Sequence, residues 1–130
     1  MSDVTELRVV LTVPDFDAAL RLYRDALGLD VEAVWSSEGG HVVLLSAGRA
    51  TLELVDEAHA SEIDRIEVGR RLAGPVRIAF QVGDSDAVAQ RLAAAGANNV
   101  AGPVTTPWND RNVRLETDAG PQLTLFTSLG

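Results

Sequence analysis

One feature constrains this chain more than any other: it carries the same unit twice. RVVLTVPDFDAALRLY, Arg8 to Tyr23, returns as RIAFQVGDSDAVAQRL, Arg77 to Leu92. An offset of 69 positions (77 − 8) also brings Val13 onto Val82, Asp15 onto Asp84 and Asp17 onto Asp86. Each copy opens with the two-residue alternation of a strand. Val9, Leu11 and Val13 form one face and Arg8, Val10 and Thr12 the other; Ile78, Phe80 and Val82 stand opposite Arg77, Ala79 and Gln81. Asp15 and Asp84 then suit helix N-caps, where a carboxylate accepts from backbone amides that the first turn leaves free. The helix after Asp15 carries Leu20, Tyr23 and Leu27 on one stripe and stops near Gly28. The helix after Asp84 carries Val88, Leu92 and Ala95 and stops near Gly96.

Strand signals follow both helices. VEAVW, HVVLLSA and ATLELV are separated by the turn-prone pairs Gly39-Gly40 and Gly48-Arg49. In the second half VAGPVTT, NVRLET and QLTLFT are separated by Asn109-Asp110 and Gly120-Pro121, and Leu52-Glu53-Leu54 corresponds to Leu123-Thr124-Leu125. Each half therefore reads as strand, helix and three strands, an α+β pattern of two tandem βαβββ modules. Module one covers about 5–56 and module two about 74–128. A polar helical connector, 57–73, joins them, and its charges read as a solvated face. At 130 residues the whole is one domain.

One helix covers one face of a four-stranded sheet, so the other face needs different company. Val9, Leu11, Leu52 and Leu54 are expected under the first helix, and Ile78, Phe80, Leu123 and Leu125 under the second. The opposite face mixes Arg8, Val10, Thr12, Thr51, Glu53 and Val55 with Arg77, Ala79, Gln81, Gln122, Thr124 and Phe126. Such a mixture suits the wall of a cavity: largely apolar, with a few placed polar groups.

Composition narrows the partners. A formal net charge of -8 without a basic cluster argues against nucleic acid. No apolar run reaches the length of a membrane span, and MSDVTELR has no signal-peptide pattern. The lack of cysteine removes disulfides and thiolate metal sites and fits a cytoplasmic protein. No serine or cysteine nucleophile stands in a recognisable setting beside a histidine, and no glycine-rich phosphate loop is present.

The paired modules and the segment VPDFDAALRLYRDALGL resemble the vicinal oxygen chelate superfamily, which includes glyoxalase I, extradiol dioxygenases and bleomycin-resistance-type binding proteins. The resemblance implies two curved mixed sheets around a cavity. Metal-dependent members take ligands from the first and last strands of each half, and those places fall here on Arg8, Glu53, Arg77 and Thr124. Only Glu53 is of a metal-binding type, because a guanidinium offers no lone pair and a threonine hydroxyl is a feeble ligand. No metal, cofactor or catalytic residue is therefore expected, with a metal held by Glu53 and His41 as the alternative. Converging strands of this family would set Glu53 between Arg8 and Arg77 as a charged network. The family's layout also brings Trp35 and Trp108 near the cavity mouth, with Phe126 on its wall, and tryptophan faces stack on planar ligands.

The expected function is a non-enzymatic one. A homodimer would bind a planar or aromatic compound, plausibly an antibiotic, in its crevices and confer resistance by sequestration. Trp35, Trp108 and Phe126 would supply apolar area; His41, Arg8, Glu53, Arg77, Thr124, Gln81 and Gln122 would line and orient. A glyoxalase-like lyase or isomerase, or a dioxygenase-related enzyme, using Glu53 and His41 with an atypical or absent metal site, is the alternative. A structural or regulatory paralogue without ligand is the third reading.

Overall fold

The computed structural model describes residues 5–37, 40–118 and 120–130. Helix α1 (Phe16–Leu20) runs into a wider π turn over Arg21–Ala26 and leads to the hairpin β1 (Asp30–Ser37) and β2 (Gly40–Ser46). The connector helix α2 (Glu57–Val68) precedes β3 (Arg77–Gln81), α3 (Ser85–Ala94), β4 (Asn98–Thr105), β5 (Asp110–Glu116) and β6 (Gln122–Ser128). Both N-caps form as the sequence implies: Asp15 accepts from the Ala18 amide and Asp84 from the Ala87 amide. The Gly39-Gly40 turn lies partly outside the described residues, since Gly39 is not among them.

The second half closes into a four-stranded mixed sheet in the order β3-β6-β5-β4. Its first and last strands pair in parallel, Arg77 opposite Gln122 and Phe80 opposite Leu125. The core lies between this sheet and the helices. Leu92, Leu115, Leu123 and Leu125 are wholly buried there, with Val88, Ala89 and Val113 beside them. Ile78 and Phe80 pack against the same cluster, as their alternation predicts.

The first half is different. β1 and β2 form a two-stranded sheet, but residues 5–13 and 50–55 join no ladder, so the expected first and last strands of module one are not formed. Leu11 touches the core, whereas Val9, Leu52 and Leu54 are exposed rather than packed under the first helix. The physical reason is where that helix points. In the π turn the Leu27 amide donates to Leu22 O, five residues back, and Leu29 to Tyr23 O even further back. The widened turn carries neighbouring side chains to one side. Leu22 and Tyr23 are thus both buried, in the same cluster as Val88 and Leu92 of α3. The first helix serves the second half's core, and its own outer strands are left without an apolar partner.

Candidate functional site

The face of the second sheet opposite α3 is set by register. Arg114 lies opposite Thr124, which lies opposite Ala79; Asn112 lies opposite Phe126, which lies opposite Gln81; Arg77 lies opposite Gln122. All these side chains share one face, because residues two apart on a strand point the same way. α2 lies across part of it. Asp64 and Glu67, three residues apart on one side of that helix, reach the same guanidinium.

The resulting network is buried. Arg114 is 1% exposed and Asp64 2%. Arg114 Nη1 donates to Asp64 Oδ1 at 2.8 Å and to Gln122 Oε1 at 3.1 Å, and Nη2 donates to Glu67 Oε1 at 3.0 Å. Asn112 Nδ2 donates to Glu67 Oε2 at 3.0 Å. Gln122 Nε2 passes the chain outward to Glu116 at the rim. α2 ends at Gly69, whose φ of 87° turns the chain back so that the Leu72 and Ala73 amides donate to Asp64 Oδ2 at 2.7 and 2.8 Å. Arg71 Nη1 adds a further bond at 2.9 Å. Burial alone would push the Asp64 carboxyl up; the bonds from Leu72, Arg114, Ala73 and Arg71 outweigh it and hold the group well below the usual carboxylate range. The charges of the connector are therefore not all a solvated face: Asp64 and Glu67 are interior.

Arg77 stands apart from this arrangement. It is half-buried on the edge strand β3 and donates to the Thr124 hydroxyl. Burial and then the nearby Arg114 charge lower its pKa, while Glu67, Asp64 and Glu53 attract it without contact.

The structure sets Arg77, Thr124 and Gln122 on one face, with Gln81 and Phe126 further along it. It does not build the Arg8–Glu53–Arg77 network. Arg8 is exposed and pairs with Glu6, since with residues 5–13 unladdered its local carboxylate is the nearest anion. Glu53 is exposed and lines an open concavity of about 580 Å³ with Leu54, Val55, Asp56, Ala58, His59 and Glu62. His41, on β2, does not line it; its Nδ1 is 2.9 Å from Ser36 Oγ and its ring lies 6.0 Å from that of Phe16. Trp35 on β1 and Trp108 in the β4–β5 turn are each about half exposed. Arg114, Asp64 and Glu67 were not foreseen from the sequence. Their one signal there is an arginine at mid-strand between Val113 and Leu115, which demands acids from elsewhere in the chain.

A family model for the Glyoxalase/Bleomycin resistance protein/Dioxygenase superfamily matches residues 7–124. The chain belongs to that superfamily. Among solved structures, the fold is similar to that of the hypothetical protein SA1046 from S. aureus, at 16% identity and a TM-score of 0.62, covering 97% of this chain and 95% of that one. It is also similar to TnmS3, an antibiotic binding protein from Streptomyces sp. CB03234, at 21% identity and 0.60, covering 98% and 99%. A glyoxalase-related enzyme from Fulvimarina pelagi gives 15% identity and 0.58, covering 96% and 89%. No curated protein matches the chain. At these identities the superfamily holds both binders and enzymes, and the fold does not choose between them.

Proposed function

We propose that this superfamily member is a non-enzymatic binder that sequesters a planar or aromatic small molecule, plausibly an antibiotic. The observation that carries this reading is the chemistry of the second sheet's face opposite α3. Its groups are guanidiniums, amides, a hydroxyl and carboxylates already held by hydrogen bonds. Such groups recognise and orient: each is already engaged by a partner inside the chain, whereas a general acid or base must be free to reach its substrate. Arginine at two of the four positions where catalytic relatives take metal ligands points the same way. So does the likeness in fold to an antibiotic binding protein.

The compound stacks on Trp35, Trp108 and Phe126, and the protein works as a homodimer in the cytoplasm. Support for the dimer comes from the first half, where Val9, Leu52 and Leu54 lie exposed, with Val10 and Val55 beside them, although Ile78, Leu123 and Leu125, the counterparts of the first three, are laddered and packed in the core. A second copy of the chain is the partner whose matching surface covers them.

A thermal-shift screen of polycyclic antibiotics and divalent metals tests the reading, because a ligand that binds the folded state raises the melting temperature. Stabilisation by an aromatic compound is expected, with quenching of tryptophan fluorescence and recovery of the compound unchanged. Stabilisation by metal alone, or turnover that disappears in Glu53→Gln, would instead establish the enzymatic alternative.

A further inference from the structure

The arginines around the second sheet are unequally served. Arg114 meets Asp64 and Glu67, Arg71 meets Glu57 and Asp64, and Arg111 meets Asp86. Arg77 is half-buried and, among the described residues, has no carboxylate in contact: Glu67, Asp64 and Glu53 attract it only from a distance, and its one side-chain bond is to the Thr124 hydroxyl. A cation in that position is stabilised by an anion from outside the chain. The sheet beside it offers a place for the rest of such a molecule. Along β3 the same face continues through Ala79, small and exposed, to Gln81, which lies opposite Phe126. At about 3.3 Å per residue, Ala79 lies roughly 7 Å from Arg77 and Gln81 roughly 13 Å. That leaves a strip of one sheet face with a cation at one end and an aromatic side chain at the other. α2 roofs Arg114 and neutralises it, while Arg77 and Ala79 remain reachable.

We propose that Arg77 is an anion-recognition residue, and that the compound held here is an aromatic acid whose carboxylate pairs with the Arg77 guanidinium beside Thr124 while its ring lies over Ala79 toward Phe126. This rests on the binding function proposed above and names the class of its ligand. A planar guanidinium meets a carboxylate through two parallel hydrogen bonds, so the contact fixes orientation as well as charge. It also explains how a chain with a net charge of -8 takes an acidic ligand: the attraction is local and short-ranged.

The test is calorimetric titration of the full chain with 2-naphthoate, its neutral analogue 2-naphthamide, and the neutral polycycle anthraquinone. The acid is expected to bind about tenfold or more tightly than the amide, the size of one charge-assisted contact. Arg77→Gln should erase that preference and leave amide affinity within about twofold, whereas Arg77→Lys should keep part of it. A role confined to holding the sheet would lower both affinities together and leave their ratio unchanged, which would overturn the proposal. Melting temperatures of both variants verify that they fold. If anthraquinone and the amide bind as tightly as the acid, the anion contact is wrong and the binding function stands. If none of the three binds and none shifts the melting temperature, the binding function itself fails.

Discussion

The two halves of this chain start from one pattern and end in different states. In the second, β3 and β6 pair in parallel and bury Leu123 and Leu125 completely. In the first, the corresponding segments join no strand among the described residues, and Leu54 is 84% exposed. The alternation of apolar residues is equally good in both. What differs is the layer available to cover it. The π turn that continues α1 packs Leu22 and Tyr23 against α3 and the second sheet, so one half has two helices and the other has none to spare. The second half also gains a roof on its other face, α2, anchored by charges rather than by the apolar core. A strand pattern is a request for a partner, and sequence periodicity does not say whether the chain supplies it.

The largest expected effect tests that roof. Arg114→Met leaves Glu67 with Asn112 alone and removes one of four donors from Asp64. Stripping one partner from a buried pair typically costs about 3–5 kcal/mol. Urea denaturation should show a loss in that range, and adding Glu67→Gln should return part of it, since the second change removes a stranded charge. A loss below about 1 kcal/mol would mean that α2 does not rest on this face, and the contrast between the halves would shrink to their strands.

Matched leucines come next. Leu125→Ala opens a cavity in a filled core and should cost about 3 kcal/mol. Its counterpart Leu54→Ala should change the stability of dilute protein by less than about 0.5 kcal/mol, as exposed positions generally do. The comparison becomes sharper with concentration. If a second copy covers the first half, Leu54→Ala will weaken self-association in sedimentation equilibrium while Leu125→Ala will not do so selectively. Equal losses at both positions in dilute protein would show that the first half closes within one chain after all.

How much of this was legible in the sequence divides along the same line. Both N-caps, the β1–β2 hairpin, the β3–β6 core and the helix ends at Gly28 and Gly96 follow from local rules, because each depends on residues close together or on a plain alternation. The superfamily is legible too, from the duplication. The buried charges were not. EAHASEIDRIEV is rich in charge and reads as solvated; the burial of Asp64 and Glu67 is decided by a strand some fifty residues later that presents Arg114. Of the residues singled out for the site, Arg77, Thr124, Gln122, Gln81 and Phe126 share a face because the parallel β3–β6 register sets them there. Arg8 and Glu53 do not join them, because their strands depend on a cover that the chain itself does not provide.

The smallest effect concerns the feature that the halves share most closely. Asp15 and Asp84 each cap a helix by accepting from the amide three residues on, at 3.0 and 3.1 Å. Replacing either with alanine should cost about 1 kcal/mol. The two losses need not be equal, and their difference is informative. Asp84 caps α3, whose Leu92 is wholly buried, so its loss counts in full against global unfolding. Asp15 caps a five-residue helix whose hold on the core is Leu22 and Tyr23 in the π turn beyond it. If that hold is firm, the first helix unfolds with the rest and Asp15→Ala costs the same, within about 0.3 kcal/mol. If it frays ahead of the core, hydrogen exchange of residues 16–20 will be fast and the cap will contribute less. We expect equality, because Leu22 and Tyr23 lie in the same buried cluster as Leu92, and the two halves then differ in their strands and not in their helices.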